Sequence, residues 1–188
     1  KFPHHENELA QSCCYSGNLN QKNSYAKYWM HNGFVTVDSE KMSKSLGNIS
    51  LVKDFLKLYD GEVLRLALLS AHYRSPLNWS EQVLSQSKNR ITKYKKILEE
   101  YKNLSIIEHV KGNFIIHQIE EALLDDINIS KSLSILDANV KDIQKKDEIE
   151  KKNIIQAIKY LGKIIGIFSD GKTSTLKKEE KLFNEEEI

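Results

Sequence analysis

A histidine and a glutamate near the start of the sequence have the spacing of a metal-binding pair. His4 and Glu8 lie four positions apart in the segment FPHHENE, in which Pro3 favours the start of a helix. Residues four apart share one helix face, so this imidazole and this carboxylate can point at one ion and form half of a zinc site. Histidine and glutamate also occur at helix N-termini for capping and dipole reasons, so the spacing leaves both interpretations open.

A short basic loop is the second place where the residue types indicate chemistry. It consists of Lys41, Met42, Ser43, Lys44 and Ser45, with Gly47 close behind. Two lysines among small hydroxyl residues can wrap a polyphosphate, because their ammonium groups offset the charge that builds on a leaving pyrophosphate. A mobile loop of this kind could close on ATP. A solvated basic turn is the alternative interpretation.

Composition limits the classes of protein to which the chain can belong. Of the 188 residues 40% are apolar, enough to fill a core, and the net charge of +2 neither requires nor excludes a nucleic-acid partner. The only two cysteines, Cys13 and Cys14, are adjacent, which excludes a disulfide scaffold and favours a cytoplasmic location. No apolar run approaches the roughly 20 residues that span a bilayer, so no membrane partner is expected.

The elements that position these two sites are predicted to be helices from Ser50 onward. Ser50, Asp60 and Ser80 are expected to cap three successive helices, with a loop at residues 74–78 before the third. The predicted buried stripes are Leu51, Phe55 and Leu58 in the first helix, Val63, Leu64, Ala67 and Leu68 in the second, and Val83, Leu84, Ile91, Tyr94, Leu98 and Tyr101 in the third.

Three more helices are predicted over residues 113–125, 130–144 and 147–168. The last is expected to begin with Asp147 and Glu150 in a capping box, in which each side chain bonds the backbone N–H of the other residue.

The last helix carries a clear apolar stripe. Gly162 and Gly166 interrupt this stripe and are expected to allow close helix packing at some cost in helix propensity. Beyond it, residues 170–188 are rich in Lys and Glu and short of apolar side chains, which indicates an exposed linker. The residues of the stripe are Ile154, Ile158, Leu161, Ile165 and Phe168.

Several segments together resemble one enzyme family. Residues 41–45 are identical to the KMSKS signature of class I aminoacyl-tRNA synthetases, and residues 2–12 resemble the zinc-binding helix of the cysteinyl enzymes. Residues 28–37 resemble the strand-containing stretch that leads into the signature loop, and residues 72–75 and 125–128 resemble parts of the helical region. The chain therefore resembles the cysteinyl-tRNA synthetases over most of its length.

The resemblance implies a cysteine–tRNA ligase that uses ATP with Mg²⁺ to form cysteinyl-adenylate and then charges tRNA(Cys). Lys44 would contact ATP most directly, and Lys41 would assist. In that family two cysteines, a histidine and a glutamate hold a Zn²⁺ ion that binds the substrate thiolate, and His4 and Glu8 match the last two ligands. Because zinc prefers a thiolate to a hydroxyl, the metal separates cysteine from serine.

Parts of the family pattern are missing from this sequence. The two cysteine ligands and the HIGH signature precede the histidine in that family, and neither occurs in this chain. Cys13 and Cys14 do not align with those ligands, so we expect them to be packing or surface thiols. The chain is therefore expected to be a monomeric fragment without the HIGH-containing part and the C-terminal anticodon-binding subdomain, and to be inactive alone.

The expected fold is mainly α with a small α/β part, namely the C-terminal portion of a class I, Rossmann-like catalytic domain followed by a helical bundle. Residues 1–48 would end the nucleotide-binding domain, and residues 49–79 would form a stem-contact region. Residues 80–169 would form a tRNA-binding bundle, and residues 170–188 a linker toward the missing subdomain.

Two other functions stay open. One is the related ligase of mycothiol synthesis, which joins cysteine to an amino sugar without tRNA, and the other is a non-catalytic, helical RNA-binding module. Single residues are also ambiguous. Arg74 and Lys53 could contact tRNA phosphates or be surface charges. His31 and Trp29 could line the cysteine pocket or serve as core or capping groups.

Overall fold

The computed structural model describes residues 3–17, 25–37, 40–41, 51–103 and 112–168. The described residues are mostly helical with one small sheet, which confirms the expectation of a mainly α fold with a small strand-containing part. The chain divides into two compact units, Lys1–Asn32 and Gly33–Ile188. No helix in the described ranges has the length and apolar character needed to cross a membrane.

The first unit contains the helix α1 (His4–Ser16), which starts directly after Pro3 as predicted. Gly17 ends it at φ 69°, a left-handed conformation that glycine adopts without steric cost, and the Gly17 N–H bonds to the carbonyl oxygen of Cys13. Cys13 is buried and Cys14 is exposed. These positions agree with the expected packing and surface thiols.

A three-stranded sheet stands at the start of the second unit. Its strands are β1 (Val35–Val37), β2 (Glu40–Lys41) and β3 (Leu77–Trp79), in the order β2-β1-β3. β1 is antiparallel to β2 and parallel to β3. The prediction of a loop over residues 74–78 was wrong at Leu77 and Asn78, because these residues pair with a strand about forty positions earlier, and a local pattern does not reveal such a partner.

Three helices follow the sheet strands β1 and β2 along the chain: α2 (Val52–Phe55), α3 (Gly61–Leu68) and α4 (Glu81–Glu100). The cap of α3 was predicted correctly, since the Asp60 side chain accepts from the N–H of Glu62 at 3.1 Å. The cap of α4 was also correct, because the Ser80 side chain accepts from the N–H of Val83. The predicted cap Ser50 lies outside the described residues.

Two of the predicted stripes need correction. Leu51 and Leu58 are 49% and 76% exposed, because α2 is a single turn and neither residue belongs to it. In α3 the outer residue is Leu68, which is 51% exposed, while Leu66 is fully buried in its place. The rest of the α3 stripe is buried as predicted.

The helices α5 (Phe114–Leu124), α6 (Ile129–Val140) and α7 (Glu148–Ile165) pack with α4 and share one hydrophobic core. The predicted helix over residues 130–144 is too long. Asp142 adopts φ 58°, which stops the helix at Val140, and a short 3₁₀ helix at Ile143–Lys145 replaces its last turn.

A polar contact inside the bundle joins α4 to α6. The Tyr94 side chain is fully buried and donates its hydroxyl to Asp137 at 2.6 Å, and Arg90 donates to the other oxygen of the same carboxylate at 2.6 Å. Burial raises the pKa of Tyr94 far above its usual range, and the bond to Asp137 adds to the effect. The buried hydroxyl therefore has its partner, as buried polar groups require.

The last helix confirms its predicted start and corrects its predicted end. Asp147 and Glu150 form the expected capping box. Gly166 lies in the left-handed region at φ 68° and ends the helix, so α7 stops before the predicted Phe168. A Cβ on Gly162 would lie 2.7 Å from the carbonyl oxygen of Ile167, so this glycine lets the chain fold back over the helix end and does not serve helix–helix packing.

Candidate functional site

The candidate zinc ligands lie on the first two turns of α1. His4 and Glu8 are both exposed, and their spacing places them on one side of the helix. The described part of the chain contains no group of three or more His, Cys, Asp or Glu residues that could hold a metal ion. A nitrogen and a carboxylate oxygen are ligands that zinc accepts, so the pair fits two positions of a four-coordinate site and does not complete one.

An aromatic cluster lies beside that pair. The His5 ring stacks on Trp29 at 4.9 Å and on His31 at 4.6 Å, and Tyr25 lies 5.5 Å from Trp29. Stacked rings of this kind fix the orientation of the helix turn that also carries His4. The sequence pointed to His31 and Trp29 singly but not to their contact with His5, because more than twenty positions separate them and no periodic pattern connects them.

The signature loop begins at the edge of the sheet. Lys41 lies in β2, where its backbone pairs with Thr36 of β1, and the other four residues of the loop, 42–45, lie outside the described residues. Because the strand order is β2-β1-β3, the strand that leads into the loop pairs, among the described strands, with β1. Lys41 is therefore the one residue of the signature loop that the structure describes, and its backbone is fixed by pairing with β1.

A turn at residues 72–76 lies directly against the start of β1. The Gly33 N–H donates to the carbonyl oxygen of Tyr73 at 2.7 Å, and the Leu77 N–H donates to Phe34 at 2.9 Å. A Cβ on Gly33 would overlap the carbonyl group of Ser75. Glycine is therefore required at this position for the close approach of two backbone segments.

The same turn contacts the connection between α5 and α6. Tyr73 donates its hydroxyl to Asp126 at 2.6 Å, and Arg74 donates to both carboxylate oxygens, from Nε at 2.6 Å and from Nη2 at 3.1 Å. The His72 ring lies 3.0 Å from the backbone oxygen of Asp126. We call His72, Tyr73, Arg74 and Asp126 the junction cluster.

The charges of the junction cluster stabilise one another. The Arg74 guanidinium, followed by the Tyr73 hydroxyl, lowers the pKa of Asp126 to about 2. The bond to Asp126 raises the pKa of Arg74 and of Tyr73. Arg74, which the sequence offers as a phosphate contact or a surface charge, has its guanidinium bonded to the carboxylate of Asp126. Lys53, the other candidate for tRNA contact, is exposed on α2.

Comparison with known proteins gives one consistent family. Residues 1–89 match the family described as tRNA synthetases class I (C) catalytic domain. The chain is 45% identical over 172 residues to a cysteine–tRNA ligase of a Nitratiruptor species, covering 88% of this chain and 36% of that protein. It is 43% identical over 172 residues to the cysteine–tRNA ligase of Helicobacter pylori (strain Shi470), covering 88% of this chain and 35% of that protein.

The fold also has a likeness among solved structures. A LeuRS of Agrobacterium radiobacter K84, solved as a ternary complex with tRNA and LeuAMS, matches 76% of this chain and 22% of its own with a TM-score of 0.59. The sequence identity of 14% restricts this likeness to the fold. The chain spans about a third of the length of the curated relatives that it matches.

Proposed function

We propose that this chain, which belongs to the cysteinyl-tRNA synthetase family, is the part of a cysteine–tRNA ligase that carries the ATP-closing loop and two zinc ligands. The observation that carries the proposal is the 45% identity to a cysteine–tRNA ligase over 172 residues. The position of residues 41–45 in the sequence supports it, because Lys41 lies in the edge strand β2 and the helical region comes later in the chain.

The proposed reaction has two steps. The carboxylate of cysteine attacks the α-phosphate of ATP, and pyrophosphate leaves. The ribose hydroxyl at the end of tRNA(Cys) then attacks the adenylate carbonyl, and AMP leaves. Lys44 and Lys41 would offset the negative charge on the β- and γ-phosphates, and Met42, Ser43 and Ser45 would shape the loop around ATP with its Mg²⁺ ion.

A zinc ion would supply selectivity for the thiolate of cysteine. His4 and Glu8 would hold it from α1, on a helix turn that the rings of His5, Trp29 and His31 orient. The remaining ligands would come from outside these residues. Since a site on a helix keeps its ligands in place, the contribution of this chain is to position two donors before the metal binds.

The test is the exchange of pyrophosphate into ATP in the presence of cysteine, measured on the intact protein that contains this chain. Replacement of Lys44→Ala should lower the exchange rate by about 100-fold, as loss of one group that stabilises developing charge does elsewhere. Lys57→Ala is the matched control, because Lys57 is an exposed lysine of the same region that pairs with Asp54. An exchange rate that Lys44→Ala leaves unchanged would contradict the role given to the loop.

A further inference from the structure

We propose that the junction cluster is a positioning device that couples the helical bundle to the strands leading into residues 41–45, so that the ATP-dependent activation of cysteine depends on it. This inference rests on the proposed function and deepens it. The cluster contains none of the residues proposed to contact ATP or zinc. Its residues act through the elements that they connect.

Tyr73 is the centre of the connection because it contacts both sides. Its backbone oxygen accepts from the Gly33 N–H at 2.7 Å, at the start of β1. Its hydroxyl donates to Asp126 at 2.6 Å, in the connection between α5 and α6. A single residue thus joins the sheet to the bundle through two short hydrogen bonds.

On the side of the sheet, a displacement of the turn at residues 72–76 is passed directly to β1. The backbone at Gly33 packs so closely on Ser75 that no Cβ fits between them. From there β1 pairs with β2 through Thr36 and Lys41, and Lys41 opens the signature loop. A shift of the turn at residues 72–76 therefore moves the strand that begins the loop, because packed backbones have few alternative arrangements.

The bundle side is equally constrained. Asp126 and Ile127 both have φ 55°, an unusual conformation for residues other than glycine. Backbone bonds hold this turn, since the N–H of Ile127 donates to Leu123 at 3.0 Å and that of Asn128 donates to Ala122 at 3.0 Å. The turn is therefore a rigid connection between α5 and α6, and Tyr73 and Arg74 bind to it.

The ion pair between Arg74 and Asp126 orients two elements more than it stabilises the fold. The side chains of Arg74 and Asp126 are 53% and 44% exposed, and exposed ion pairs contribute little to the free energy of folding. A two-pronged bond from guanidinium to carboxylate does, however, fix the relative orientation of two elements. The weak stabilisation and the strict geometry of this pair together support an orienting role.

The experiment compares two activities of the intact protein in the variants Asp126→Ala and Tyr73→Phe. Asp126→Ala should lower kcat/KM for cysteine-dependent pyrophosphate exchange by about tenfold, within the usual range of coupling between sites, and should lower charging of tRNA at least as much, because charging consumes the adenylate. Tyr73→Phe should act in the same direction, and the double variant should lose less than the product of the two single effects. The matched control is Asp125→Ala, the exposed neighbour that lies 3.8 Å from Lys131, which should change neither activity.

A second measurement does not depend on catalysis. Amide hydrogen exchange at residues 33–37 should speed up in Asp126→Ala and stay unchanged in Asp125→Ala, because the turn whose Tyr73 backbone oxygen accepts from the Gly33 N–H loses its attachment to the connection between α5 and α6. A rate of pyrophosphate exchange that Asp126→Ala leaves unchanged, or unchanged amide protection at residues 33–37, would overturn the coupling while the proposed function stands. A wild-type protein that neither activates cysteine nor charges tRNA would overturn both.

Discussion

The carboxylate of Asp126 is partly exposed, yet it connects segments that are distant in the sequence. It accepts three hydrogen bonds from two side chains that lie more than fifty positions earlier in the sequence. Its low pKa of about 2 follows from the bonds with Arg74 and Tyr73. In the sequence these residues were visible only as segments that resemble a family. Their contact could not be predicted, because no pattern of spacing connects them.

The depressed pKa of Asp126 makes a prediction about acid stability. A carboxyl group whose pKa is lower in the folded chain stabilises the fold above its unfolded value of 3.8, and this contribution is lost as the pH falls toward about 2. The wild-type protein should therefore unfold at a slightly higher temperature than Asp126→Asn above about pH 4, by a small margin because solvent screens this exposed pair, and the two midpoints should converge as the pH approaches 2.

Thermal unfolding between pH 7 and pH 2 measures this difference. Asp125→Asn is the control, since Asp125 lies 3.8 Å from Lys131 and is 68% exposed. A gap between wild type and Asp126→Asn that stays constant over the whole range would mean that the charge of Asp126 does not stabilise the fold.

At the scale of the elements, local signals were sufficient where the partner is nearby. Asp60, Ser80 and the pair Asp147 and Glu150 cap their helices as predicted, because each bond spans at most three positions. The strand β3 could not be predicted in this way, because its partner β1 lies about forty positions earlier. The candidate ligands His4 and Glu8 were visible for the same local reason, and their roles stay predictions.

Gly162 lies near the end of α7, a helix end that was predicted incorrectly from the sequence. In an ordinary helix interior, replacement of glycine by alanine stabilises the fold by about 1 kcal/mol. Here the Ile167 N–H bonds to the carbonyl oxygen of Gly162 at 2.9 Å, and the returning chain leaves no room for a methyl group. Gly162→Ala should therefore lower the free energy of unfolding by about 1–3 kcal/mol, as overpacking of a core does.

Urea unfolding of the two variants Gly162→Ala and Gly61→Ala tests this prediction. Gly61 begins α3, and a Cβ there would lie 3.7 Å from Leu56, an ordinary contact, so its replacement should cost no stability. If Gly162→Ala proved as stable as wild type, the turn of Ile167 and Phe168 over the helix end would not be as tight as described.

At the scale of the whole molecule, the second unit consists of a sheet, a turn and a helical bundle that contact one another. The sheet holds the start of the signature loop, the turn at residues 72–76 joins the sheet to α5 and α6, and α4 to α7 form one core. The mainly α fold with a small strand-containing part could be predicted from the helical periodicity after residue 50 and from the family resemblance. The junction could not, because it exists only when segments distant in sequence are folded together.

The activity proposed for the intact protein is the joining of cysteine to tRNA, and transfer of labelled cysteine measures it. The protein should charge tRNA(Cys) with cysteine in an ATP-dependent reaction, should not charge it with serine, and should not transfer cysteine to an amino sugar. Transfer to the amino sugar alone, or no ATP-dependent transfer of cysteine to either acceptor, would contradict the proposed function.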